Sequence, residues 1–406
     1  MEFNYAERAD LVKPSLLRSA WRMFKPETIK FTAGSPDSSC LPNKELAPLA
    51  KLVLESEEGK DALSYNDSEG YLPLREKIRA IMKSRGVETE AENILMTNGS
   101  QQGIDFVCRV FLDIGDTVLI EKPTYVGALN TMKNYQCNFV SVESDKDGMI
   151  MSDLEDKLKM SQHVKFIYLI SNFQNPSGRV WSEERRKQLI QLANTYNVVV
   201  VEDDPYGELR YEGEPVLPCK TFDTEGRVIY LGSFSKVLAP GLRVGWTLAE
   251  GEIMEKLLVC KQTCDMHVCA LTQRLVDAYL EEIVFSERIE ELISFYNHRK
   301  EQMVLALDRH MPLNVIYEKP QGGLFVWLEA PENIDTTALF LEGLKHNIGI
   351  IPGIMFFADQ TDEVNHYIRL CFSQVNDEEM EEGIEVLGQL LKKSIDGTPL
   401  KAEKEM

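Results

Sequence analysis

The chain has 406 residues, too many for one ordinary core, and its 44% apolar and 27% charged residues fit a globular protein with a large domain and a smaller one. Its 44 basic against 65 acidic side chains leave a formal charge of −21, which excludes broad nucleic-acid binding, because neutralising phosphates needs basic patches. No stretch approaches the ~18 apolar residues of a membrane span, and the charged opening MEFNYAERADLVKP predicts a cytoplasmic protein.

Between about residues 90 and 250, short apolar runs alternate with helix-like stretches. NILMTNG, DTVLIEKP, NFVSVES, KFIYLIS, NVVVVEDD and RVIYLGS read as strands. SQQGIDFVCRVFLD, VGALNTMKNY, MSDLEDKLKM and SEERRKQLIQLANTY carry helical spacing between them. That alternation predicts an α/β fold with a mainly parallel sheet flanked by helices, and VVVV is apolar on both faces as a covered strand should be. From about residue 252 one long helical stretch is predicted through LTQRLVDAYLEEIVFSERIEELISFYNHRKEQMVLALDRH. GGLFVWLEA, GIIPGIMFF and YIRLCFS follow, separated by helices, and predict a smaller α+β domain. The expected division is 46–285 for the large domain, 1–45 for an arm that is part of the small one, 286–395 for its remainder, and 396–406 for a polar tail. The eight cysteines are scattered, mostly in apolar runs, as in a reducing compartment. Cys260 and Cys264 would share a helix face near His267 and Cys269, but the spacing matches no common zinc pattern, and no metal is expected.

Ligands of open α/β sheets bind beyond the carboxyl ends of the strands, so the residues after each run are the candidates. After NILM, TNGSQQG opens a helix whose N-terminus suits an anion such as phosphate, or is simply a serine-capped helix. After KFIYLIS comes a turn by composition, NPSG, in which Asn175 is free to bond a ligand. After NVVVV, Asp203 shares a strand face with Val201 and could pair with a protonated ring nitrogen, while Tyr206 could donate to a phenolic oxygen. The neighbouring Asp204 is expected to cap a helix or turn. After RVIYL, GSFSKVLAPGLRVGW places Lys236 among Ser233 and Ser235, seven residues before Arg243. A desolvated lysine there could act as an amine nucleophile and form a Schiff base. A phosphate cradle, a ring-nitrogen partner, a phenolate partner and a reactive lysine on successive strand ends suit pyridoxal phosphate.

The sequence resembles the fold-type I pyridoxal-phosphate aminotransferases of class I/II. Within them it is similar to the 2-aminoadipate/kynurenine aminotransferase-like group, which shares its catalytic domain with MocR regulators. The resemblance runs from about residue 12 to 392 and is carried by SFSKVLAPGLRVGW, NPSG…EDDPY and GSQQG. It implies that Lys236 holds the cofactor aldehyde and shuttles the proton, that Asp203 pairs with the pyridine N–H, and that Asn175 and Tyr206 contact the 3-oxygen. Ser100, Gln101, Ser233, Ser235 and Arg243 are implied to bind the phosphate, and Tyr125 in KPTYVG to stack on the ring. Arg369 in YIRLCFS is implied to take the substrate α-carboxylate by two parallel bonds. Tyr65 matches a residue that reaches the phosphate of the neighbouring subunit, implying a homodimer with shared sites. Gly34 and Ser35 should line the substrate mouth, although TAGSPDSS departs from the Gly-Gly-Leu-Pro stretch of many relatives. Arg18 matches an arginine that either approaches the substrate side chain or anchors the arm. The implied reaction moves an amino group from an L-amino acid (2-aminoadipate, aromatic or aliphatic) to a 2-oxo acid such as 2-oxoglutarate. A carbon–sulfur β-lyase uses nearly the same residues and stands as the alternative. A ligand-sensing regulator domain is disfavoured, since too few residues precede FTAGSPD for a DNA-binding domain.

Overall fold

The computed structural model describes residues 3–6 and 23–397. The helices α1 (Asn43–Glu55) and α2 (Leu72–Ser84) precede the main sheet. That sheet is built from β1 (Ile94–Thr97), β2 (Thr117–Glu121), β3 (Asn138–Val142), β4 (Val164–Leu169), β5 (Val199–Asp203), β6 (Val228–Ser233) and β7 (Gly245–Leu248). Its order is β1-β7-β6-β5-β4-β2-β3. All neighbours pair in parallel except β7, which runs antiparallel to both β1 and β6. The four helices between the parallel strands are α3 (Ser100–Phe111), α4 (Val126–Lys133), α5 (Met151–Met160) and α6 (Glu183–Tyr196).

The apolar runs explain this sheet. Successive side chains alternate between two cores: Val118, Ile120 and Val201 pack on one face, Leu119, Ile167 and Val200 on the other. Strands covered on both sides have no polar face to show, so β2 and β6 are buried throughout, while edge strand β3 is exposed at Asn138. Each fully buried Val, Leu or Ile contributes about 1.5–3 kcal/mol, so slipping one such strand is prohibitive. β7 begins at the end of the LRVGW segment and runs on through Thr247 and Leu248, four residues between a turn and a helix that are too few for a separate alternation.

Three helices follow: α7 (Gly251–Cys264), α8 (Ala270–Glu282) and α9 (Phe285–His310). The expected single long helix is therefore two. Ile283 and Val284 are both extended at the break, and neither a glycine nor a proline marks it in the sequence. The second sheet is antiparallel, with β8 (Ile316–Tyr317), β9 (Phe325–Glu329), β10 (Ile351–Pro352) and β11 (Tyr367–Cys371) in the order β8-β9-β11-β10. α10 (Thr336–Lys345) packs beside it, and α11 (Asp377–Ile395) packs on α9 and α10. The early segment Ile29–Lys30 pairs in parallel with Ile348–Gly349, and the Cys371 N–H donates to the Phe31 carbonyl at 2.9 Å. Residues near the start of the chain are thus stitched to residues near its end.

Candidate active site

Strand ends converge on one cleft. β5 delivers Asp203 and, past Pro205, Tyr206; β6 delivers Ser233, Ser235 and Lys236. The loop after β4 brings Ile170 and Asn175, the loop after β2 brings Tyr125, and the start of α3 brings Ser100 and Gln101. Arg243, in left-handed conformation after the turn Pro240–Leu242, completes the wall. Ten of the residues singled out in the sequence therefore line a single cavity.

Lys236 Nζ donates to the Gly34 carbonyl at 2.6 Å and stands 6.0 Å from the centre of the Tyr206 ring. Burial, joined by repulsion from Arg243 and Arg369, lowers its pKa to about 8. Only the neutral amine attacks an aldehyde. Capture of an aldehyde cofactor by the apoprotein is therefore expected to quicken about tenfold per pH unit up to about 8 and to level off above it. Stopped-flow absorbance of apoprotein mixed with cofactor across pH 5–10 checks this, and a flat profile contradicts it.

Asp203 is raised to about 7 by burial and by the nearby charge of Asp204. Its Oδ2 accepts from the Tyr168 hydroxyl at 2.9 Å and the nearby Ser100 side chain also favours the charged form, whereas Oδ1 is buried and makes no hydrogen bond of its own within 3.5 Å among the described residues. An orphaned acceptor in a closed site asks for a cation or donor, and a protonated ring nitrogen fits it. The sequence reading missed Tyr168. The available signal was a tyrosine in the otherwise apolar run FIYLI, because a buried phenol needs a partner for its hydroxyl.

At the other end of the cleft the geometry suits a phosphate. Gly99, at φ 76°, caps α3, and a Cβ there would lie 2.4 Å from Arg243 Nη2. The Arg243 guanidinium donates to the carbonyl of Asn98 at 2.7 Å and to that of Pro240 at 3.3 Å. Ser233 Oγ donates to Ser235 Oγ at 2.8 Å. The side chain of Gln101 is engaged by α4, donating to Thr131 Oγ1 at 2.5 Å and the Gly127 carbonyl at 3.2 Å. What α3 offers an anion is its first backbone N–H groups, with the Ser100 hydroxyl beside them. The residues present thus fit pyridoxal phosphate at both ends.

Arg369, on β11, is buried beside this cleft. It donates to Asn175 Oδ1 at 3.0 Å and to the Thr32 carbonyl at 2.6 Å, while its Nε has no partner among the described residues. Its guanidinium faces Phe325 at 4.6 Å and Phe356 at 5.0 Å. Gly34 reaches the site through its carbonyl. Ser35 is held by its backbone, its carbonyl accepting from Ser373 Oγ at 2.6 Å.

Tyr65 stands apart from its own chain's cleft: it is 83% exposed and meets His267 edge-on at 5.9 Å. Arg18 lies outside the described residues. No cluster of metal ligands forms around Cys260 and Cys264 or elsewhere among the described residues. Asp204 corrects the expected cap. It is a buried partner of Arg85 at 2.5 Å, also bonded by Asn172 at 2.9 Å and Tyr230 at 3.2 Å. Removing Asp204 leaves Arg85 only the longer pair with Glu208 at 3.5 Å and strands the Asn172 amide, so Asp204→Ala is expected to cost about 3 kcal/mol in denaturant unfolding, and a change under about 1 kcal/mol contradicts it.

Comparison with known proteins agrees with this chemistry. The family described as aminotransferase class I and II matches residues 26–387. The chain is 38% identical to aromatic-amino-acid aminotransferase 1 of Thermococcus litoralis, over 97% of this chain and 95% of that one. It is also 38% identical to the 2-aminoadipate transaminase of Thermus thermophilus, over 96% of each. In structure it is similar to the Pyrococcus horikoshii kynurenine aminotransferase solved with PMP, with a TM-score of 0.91, 35% identity and 98% of both chains covered. A cleft that gathers Asp203, Lys236 and an anion-suited helix start accords with that match: this chain is a member of the class I and II aminotransferases, fold-type I enzymes that work with pyridoxal 5′-phosphate.

Proposed function

We propose that the enzyme moves the amino group of an L-amino acid, of the aromatic, 2-aminoadipate or aliphatic kind, to a 2-oxo acid such as 2-oxoglutarate. The observation that carries this reading is Arg369, a buried guanidinium with an unpaired Nε beside Lys236. Such a fork matches an α-carboxylate, which amino acids and 2-oxo acids share.

When bound, pyridoxal phosphate supplies an electron-withdrawing ring that takes up the charge left at the substrate Cα on deprotonation. Lys236 would hold the cofactor aldehyde and, once free as an amine, would carry the proton from the substrate Cα to the cofactor's aldehyde carbon, on the other side of the shared nitrogen. Asp203 holds the proton on the ring nitrogen, and Tyr206 and Asn175 donate to the 3-oxygen. Tyr125 stacks on the ring. Arg243, Ser233, Ser235 and the start of α3 grip the phosphate. Gly34 and Ser35 border the substrate mouth, and Arg18 is assigned to the substrate side chain or to anchoring of the arm. Tyr65 is assigned to the phosphate of the other subunit in a homodimer; its exposure leaves it free for that. The domain frame carried with this reading is 1–45 with 286–395 as the small domain, 46–285 as the large one, and 396–406 as a tail. All eight cysteines are free, which supports a cytoplasmic setting.

The test is a half-reaction. Holoenzyme given one amino acid and no acceptor is expected to release one equivalent of 2-oxo acid per site, with a matching loss of its visible band; 2-oxoglutarate then restores the band. Release of pyruvate and sulfide from cysteine without that exchange assigns a lyase instead. In the same assay Arg369→Met is expected to lower kcat/KM by about a hundredfold to a thousandfold, mostly through KM, since it leaves a carboxylate without its buried partner. An unchanged KM contradicts the role given to Arg369.

A further inference from the structure

Behind the phosphate end of the cleft lies a polar cluster that lines no part of it. Lys261, in the last turn of α7, has a fully buried side chain. A charge so placed is tolerated only when it is paired and hydrogen-bonded. Its Nζ lies 2.9 Å from Asp265 Oδ1 and donates to Asp265 Oδ2 at 3.0 Å and to Gln102 Oε1 at 2.9 Å. Asp265 Oδ2 also accepts from Asn98 Nδ2 at 2.7 Å and from Gln102 Nε2 at 2.8 Å. Gln102 Oε1 accepts the Asn98 backbone N–H at 2.9 Å.

Asn98 is therefore gripped at its side chain and its backbone, and its carbonyl receives Arg243 at 2.7 Å. The residues that follow it, Gly99 and Ser100, open α3. One buried amine thus fixes, through two intermediaries, both the helix start and the arginine assigned to the phosphate. Asp265 keeps 28% of its side-chain exposure. Without Lys261 only the neutral amides of Asn98 and Gln102 hold that carboxylate inward, with no charge to oppose its hydration, and their grip on the turn loosens with it.

We propose that Lys261 is a positioning residue for the cofactor phosphate, acting through Asp265 and Gln102 to set the Asn98–Ser100 turn and Arg243. The proposal rests on the assignment of that turn and Arg243 to the phosphate. The structure explains why a lysine fits here: it is the only member of the cluster able to donate to both Asp265 and Gln102 from a compact ammonium.

The test compares two ligands that differ only in the phosphate. Apoprotein of the wild type, of Lys261→Met and of Lys261→Met/Asp265→Ala is titrated with pyridoxal phosphate and with pyridoxal, followed by absorbance, without any turnover. The double variant removes both charges, so it serves where the single one fails to fold. Both variants are expected to lose about tenfold to a hundredfold in affinity for pyridoxal phosphate while pyridoxal binding stays within about twofold, so the preference for the phosphate narrows. The proposal is overturned if the variant that folds keeps the wild-type preference, or loses both ligands equally. A wild type with no preference for pyridoxal phosphate overturns the phosphate assignment itself, and the proposal with it.

Discussion

Replacing Lys236 by alanine is expected to lower kcat by about ten-thousandfold, the upper range for a positioned proton-transfer group. Among the described residues that line the cleft Lys236 is the one amine, and Lys261 is buried behind the Arg243 end, held by Asp265 and Gln102. The loss should fall on chemistry rather than on folding or cofactor retention, because Arg243, the serines and the α3 N-terminus are untouched. The variant is therefore expected to bind pyridoxal phosphate but to lose the absorbance signature of its covalent attachment. Added methylamine should restore part of the rate. A variant that keeps more than about a tenth of wild-type kcat removes Lys236 from the mechanism.

Asp203→Asn ranks second, with an expected loss of about a thousandfold in kcat. The amide keeps the shape and can still accept from Tyr168, but its uncharged oxygen and NH₂ cannot hold a proton on a ring nitrogen. The carboxyl group starts with a pKa raised to about 7 by burial and Asp204, so cofactor binding should pull it down and fix it as a carboxylate. Wild-type apoprotein titrated with cofactor near pH 7 is accordingly expected to release protons from Asp203, and the asparagine variant to release fewer. Single-turnover rates together with proton release check both halves. Loss of cofactor affinity with unchanged chemistry contradicts the electrostatic role.

Much of this was legible in the sequence because the large sheet is covered on both faces. Strands so placed are unbroken apolar runs, and any polar residue just beyond them has a reason to be there. Asp203, Asn175, Ser233 and Lys236 all stand just beyond such runs, and all line one cleft. The unread parts depend on pairings across the chain. Asp204 looks like a cap until Arg85, 119 residues away, is seen against it. Arg369 is reached only through the family resemblance, since its residue spacing does not foretell that Phe325 and Phe356 lie 4.6 and 5.0 Å from its guanidinium. Tyr168 and Lys261 sit in apolar or helical patterns that their periodicity explains without a function. The break at Ile283–Val284 carries no turn residue, since two β-branched residues in extended conformation make it.

The stitching of the first strand to the last part of the chain has a consequence for synthesis. Thr32 and Arg369 are 337 residues apart, yet the Arg369 guanidinium donates to the Thr32 carbonyl beside the cleft. At about 5–20 residues per second, a ribosome needs roughly 17–70 seconds between making the one and making the other. During that time the main sheet can assemble, while Ile29 and Phe31, buried in the finished protein, have nothing to cover them. The nascent chain therefore carries a sticky leading segment until its final helices emerge. A message cut short before β11 would yield a product that keeps Lys236, Arg243 and the start of α3 yet lacks Arg369.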